Sequence, residues 1–88
     1  MTAKHILYAG RVQGVGFRQT TAEIAERFTV AGYVRNLPSG EVELLVQGDA
    51  AEVERFLTAI DRRMEGYIQS RTVTDTAAGD HDGFEIRV

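Results

Sequence analysis

YVRNLPSGEVELLVQ, residues 33–47, is the stretch on which the fold turns. Tyr33 to Asn36 reads as a short strand. Leu37-Pro38-Ser39-Gly40 follows as a turn, because proline presets φ and glycine relaxes the exit. From Glu41 to Gln47, Val42, Leu44 and Val46 alternate with Glu41, Glu43 and Leu45, the period of a half-buried strand. So short a turn makes the two strands an antiparallel hairpin.

Upstream of the hairpin a helix is expected, and Gly32 releases the chain from it into the strand. Thr20 is placed to cap that helix, with Glu23 completing a capping box. It is expected to run to about Thr29, with Ile24 and Phe28 on one face. Before it, Gln13 to Arg18 is glycine-rich and reads as irregular. Lys4 to Val12 reads as the first strand, with Ile6 and Tyr8 on one side and His5 and Leu7 on the other. Downstream, Asp49 caps a second helix, with Glu52 at the matching box position. Val53, Phe56, Leu57, Ile60 and Met64 recur along it with the clearest helical period in the chain. After Gly66, Tyr67 to Thr76 is a polar strand carrying Ile68 and Val73. Gly79 to Gly83 is a loop, and Phe84, Ile86 and Val88 suit a last short strand facing the core. Two helices with one apolar stripe each must cover one sheet face. The expected fold is α+β, a ferredoxin-like β-α-β-β-α-β sandwich: an antiparallel sheet, two helices on one face and a short extra C-terminal strand. Fold alone does not name a function.

Eighty-eight residues suit one domain, 1–88, with a single core. The absence of cysteine removes disulfides, thiolate nucleophiles and thiol-based metal sites. Neither a membrane-spanning run nor a signal peptide is recognisable, so a cytoplasmic protein without a membrane partner is expected. Thirteen acidic against ten basic residues give a net charge of −3. Nucleic-acid binding usually needs a basic face to neutralise phosphates, and here the cations are scattered among acids. Arg62-Arg63 is the one adjacent pair and reads as a solvated helix face.

Two stretches carry chemistry. The first is Gly10-Arg11-Val12-Gln13-Gly14-Val15-Gly16-Phe17-Arg18, between a strand and a helix. Glycines there allow positive φ, so that successive amides point inward as an anion nest. The helix start adds unpaired amides and a positive dipole end. Arg18 brings a planar fork suited to two phosphoryl oxygens. A cation at a helix N-terminus opposes the dipole by about 0.3–1 kcal/mol, a cost that a bound anion would remove. No Gly-Lys-Ser/Thr follows, and Gln19 stands where a dinucleotide fingerprint has its third glycine, so a single phosphoryl group fits better than a nucleotide. The plainer alternative is a tight turn with Arg18 solvating a helix start. The second stretch is Gly32-Tyr33-Val34-Arg35-Asn36, then Gly40 and Val42. The Asn36 amide can orient a water as donor and acceptor. Read alone, an Asn before a Pro-containing turn is more often a structural turn starter.

The first stretch resembles the acylphosphatase signature, an alternating strand followed by Gly-x-Val-Gln-Gly-Val-x-Phe-Arg. The second is similar to that family's Gly-aromatic-Val-basic-Asn, then Gly-x-Val and a later glycine, here Gly48. The resemblance spans about residues 4 to 88. It implies hydrolysis of the carboxyl–phosphate bond of a small-molecule acyl phosphate, with no cofactor, no metal and no covalent intermediate. It places the phosphoryl group on Gln13, Gly14, Val15, Gly16, Phe17 and Arg18, and gives Asn36 the attacking water. Inorganic phosphate, the product, should inhibit competitively, and a monomer suffices. Tyr8, Gln19-Thr20-Thr21 and the turn from Met64 to Tyr67 depart from the family's usual residues.

The other side chains offer less. His5 and His81 fit neither a metal spacing nor a nucleophile–base pattern and read as surface residues. Asp80 and Asp82 are too few for a calcium site. The rival reading is a binding module on the same fold, either a catalytically silent phosphate binder or an RNA-recognition-like domain. The latter stacks bases on strand aromatics, and Glu41 to Gln47 has none.

Overall fold

In the computed structural model, which describes residues 1–88, seven elements follow one another. They are β1 (Thr2–Gly10), α1 (Phe17–Ala25), β2 (Val30–Asn36), β3 (Val42–Gly48), α2 (Ala50–Arg63), β4 (Ile68–Thr76) and β5 (Phe84–Arg87). They build one five-stranded sheet in the order β4-β1-β3-β2-β5.

The β2–β3 hairpin forms as its sequence predicts, with Asn36 opposite Val42 and Gly32 opposite Val46. Its turn closes through Gly40 N–H to the Leu37 carbonyl (3.1 Å) and Leu37 N–H to the Glu41 carbonyl (2.9 Å). Alternation sends Ile6, Tyr8, Val34, Val42, Leu44 and Val46 to the covered face, each wholly buried. Against them α2 lays Val53, Phe56, Leu57 and Ile60, with Met64 at its C-cap, and α1 lays Phe17, Thr21, Ile24 and Ala25. Phe56 is the hub, edge-on to Phe28 (centroids 6.1 Å apart) and to Phe84 (5.6 Å). Each such aromatic or aliphatic side chain contributes about 1.5–3 kcal/mol by leaving water.

Four details differ from the sequence expectation. First, β5 joins β2 in parallel, so the sheet is mixed while its other four strands are antiparallel. The reason is geometric. β4 finishes at the end of the sheet where β2 begins, and the chain crosses that end to reach the far edge. Gln47 holds the crossing by hydrogen bonds to and from Gly79, both 2.8 Å. Second, α1 starts at Phe17 and not after Thr20, so Phe17 and Arg18 are helical. Burying the Phe17 ring against Tyr8, centroids 4.9 Å apart, outweighs a Thr20 cap. The helix ends at Ala25 and leaves through tight turns, Arg27 N–H to Ile24 O and Phe28 N–H to Ala25 O. Third, Asp49 does occupy the α2 N-cap, yet its side chain makes no capping bond. Glu52 turns instead to the Thr29 amide (2.8 Å) and to Arg55. Fourth, of the last apolar residues only Phe84 packs on the core; Ile86 and Val88 are exposed. Strand limits also shift by a few residues, β1 ending at Gly10 and β2 starting at Val30. No helix is long and apolar enough to cross a membrane.

Candidate active site

Strand direction assembles the site. β1, β2 and β5 all run the same way, since β1 and β2 are each antiparallel to β3 and β5 is parallel to β2. The loop leaving β1, Asn36 at the end of β2 and the last residues of β5 therefore meet at one end of the sheet. The N-terminus of α1 opens there too.

The loop is held from both sides. Gln13 Nε2 donates to the Leu37 carbonyl (2.8 Å) and the Glu41 carbonyl (2.9 Å), tying the loop to the hairpin turn. Arg11 N–H donates to the Tyr67 carbonyl (2.9 Å), and the Arg11 guanidinium lies over the Tyr67 ring. Between these anchors Gly14 and Gly16 both take φ of 78°, left-handed conformations that glycine adopts without steric cost. The turn they produce frees a run of donors: no backbone or side-chain acceptor in the protein takes the amides from Gly14 to Gln19. Unpaired amides at a helix start form a ready anion site.

These groups enclose a cavity of about 290 Å³. Gly14, Gly16, Phe17, Arg18 and Asn36, all expected at the site, line it, joined by Val12, Gln19 and Ile86. Gln13 and Val15 are not in its wall; the Gln13 side chain is spent on the hairpin, and Val15 is exposed at the loop tip. Arg18 forms no ion pair, and its side-chain bond is a long one, Nη1 to the Arg87 carbonyl at 3.4 Å. The first turn of α1 holds no acidic residue, whereas α2 has Glu52 in its first turn and Arg62 and Arg63 in its last. α1 thus presents an uncompensated positive end to the cavity. Asn36 Oδ1 is buried and has no hydrogen-bond partner. A buried acceptor left unpaired costs about 1–3 kcal/mol, and Asn36 is itself part of the cavity wall.

Sequence reasoning did not assign Val12, Gln19 or Ile86 to the site. Gln19 sits one turn-position past the motif arginine, so its place was legible. Ile86 is brought in by the direction of β5, for which the sequence carries no local signal.

A larger, open groove of about 780 Å³ lies at the far end of α1, between Phe28 and Ala59 and rimmed by Arg27, Arg55, Arg62 and Arg63. It has neither converging amides nor an orphaned buried acceptor, and two of its arginines complement the C-terminal dipole of α2. On the open sheet face His5 Nε2 meets Glu43 Oε2 at 2.9 Å, and Arg35 pairs with the other Glu43 oxygen. Burial works to raise the Glu43 carboxyl, but the bonds from His5 and Arg35 outweigh it and hold it below the usual range. His81 lies beside Tyr33, centroids 6.2 Å apart. Neither histidine lines the cavity.

The chain matches the Acylphosphatase family model over residues 4–86. It is 52% identical over 62 residues to an acylphosphatase of Acidiphilium cryptum, covering 70% of this chain and 68% of that one. With an acylphosphatase of Methanocella arvoryzae it shares 33% identity over 88 residues, 99% of this chain and 100% of the relative. The crystal structure of acylphosphatase from Bacillus subtilis superposes over 100% of both chains with a TM-score of 0.92 at 31% identity. With sequence, fold and relatives in agreement along nearly its whole length, the chain belongs to the acylphosphatase family, hydrolases of acyl phosphates.

Proposed function

We propose that the amides of the Gly14–Gln19 turn and the Arg18 fork bind the phosphoryl group, and that Asn36 orients the water that attacks it. The water oxygen bonds to phosphorus, the bond from phosphorus to the acyl oxygen breaks, and carboxylate and inorganic phosphate leave. The phosphoryl group itself takes the proton of the water, so the step asks the protein for no general base. An acyl phosphate has a good leaving group, and phosphoryl transfer needs chiefly positioning and charge stabilisation. The observation that carries this reading is convergence: unpaired amides, an unpaired arginine and an orphaned Asn36 oxygen belong to one small cavity. Every one of these groups comes from a single chain, which supports action as a monomer.

Steady-state hydrolysis of acetyl and benzoyl phosphate in the presence of chelator tests it. Arg18→Ala should abolish detectable turnover and weaken phosphate binding. Arg18→Lys should restore it only in part, since a point charge does not reproduce two parallel contacts. Asn36→Ala should lower kcat at least about tenfold with a smaller change in KM, as for a group acting mainly in the transition state. Phosphate should compete with substrate. A folded Arg18→Lys variant with wild-type turnover, or phosphate inhibition that substrate cannot relieve, would overturn the assignment.

A further inference from the structure

Six large apolar side chains stay exposed on this molecule, and Ile86 is the one of them that lines the phosphoryl cavity. It is 39% exposed, whereas Val12 and Phe17, the other apolar groups in the wall, are buried. Pairing with Val34 fixes its position, and period two puts Val34 on the same side of β2 as Asn36. Its neighbour Arg87 offers the carbonyl that receives Arg18 Nη1. Ile86 is therefore the one exposed apolar group in a wall that also carries Arg18 and Asn36.

A phosphoryl group gains nothing from hydrocarbon. The other half of an acyl phosphate does, because its chain must project from a cavity that holds the phosphoryl end. We infer that Ile86 is the contact for the acyl chain and sets a preference for apolar acyl groups, butyryl or benzoyl, over acetyl. This rests on the phosphoryl-binding role given above to Arg18 and the loop amides.

The test is a substrate series of acetyl, propionyl, butyryl and benzoyl phosphate with wild type, Ile86→Ala, Ile86→Ser and Val88→Ala, each checked for folding by urea denaturation. In wild type, kcat/KM should rise with acyl length, by at most about fourfold per methylene, the value of full transfer from water. Ile86→Ala should shrink the advantage of butyryl and benzoyl over acetyl phosphate about fivefold, through KM. Ile86→Ser should shrink it further. Val88, exposed and outside the cavity wall, should show no change when replaced by alanine. An equal fall for every substrate would overturn the inference and make Ile86 a barrier to water; unchanged selectivity would overturn it as well. A wild type inactive on the whole series would instead overturn the hydrolytic reading of the cavity, on which the inference stands.

Discussion

Tyr8 carries a hydroxyl into the core and leaves it there without a partner. Its ring holds the position by packing at a tilt against Phe17, the first residue of α1. Burial raises its pKa well above the tyrosine norm; Asp61 adds to the rise, and nearby Arg71, short of hydrogen-bond geometry, opposes it. The linkage follows in sign. The folded state holds the phenolic proton more tightly than the unfolded chain, so the stability is whole below about pH 10, the unfolded value, and is lost as pH rises beyond it. Tyr8→Phe keeps the ring and removes the orphan. It should be at least as stable at pH 7, by up to about 1 kcal/mol, and should resist unfolding above pH 10 better than wild type. Urea titrations at pH 7 and pH 10.5 check both; a variant that is less stable at both would show that the hydroxyl has a partner in solution. At this scale the sequence was informative about the site: Gly14, Gly16, Phe17, Arg18 and Asn36 do share one cavity. It set Gln13 at the phosphoryl group too, but a side-chain amide suits a carbonyl as well as an anion, and this one donates to the hairpin carbonyls of Leu37 and Glu41.

Among the elements, α1 and α2 make opposite use of the helix dipole. α2 carries acid at its start and arginines at its end; α1 carries Arg18 at its start and no acid there. An arginine so placed costs the fold stability and is useful only to an anion. Arg18→Glu should therefore raise stability by about 0.3–1 kcal/mol in phosphate-free buffer while removing turnover. Phosphate should raise the urea midpoint of wild type and leave that of the variant unmoved. Loss of stability in Arg18→Glu would mean that the long bond to the Arg87 carbonyl outweighs the dipole. The elements themselves were legible where one periodicity ruled, as in α2 and in β3. They were not where a distant residue competed: the α1 start moved to bury Phe17, and the Asp49–Glu52 box gave way to the Thr29 amide.

For the whole molecule, the order of elements fixed the antiparallel core but not the fifth strand. Direction in a sheet depends on which end the preceding strand leaves from, and that is known only when β4 has been placed. Ile86 was invisible for the same reason, since its place in the cavity follows from a parallel β5. The sheet order has a further consequence, in time. β1 is the first strand made and an inner strand of the sheet, with Ile6 opposite Leu44 on one side and Val73 on the other. Neither contact is local, so much of the loop-closure entropy is lost before the packing that offsets it exists. Refolding from urea should be a single slow phase of milliseconds to seconds, far behind helical bundles of this length; a microsecond phase by stopped-flow and temperature-jump fluorescence would contradict it. On the ribosome, β1 waits with an open edge until β4 has been synthesised, and the chain becomes native only after nearly all of it has emerged.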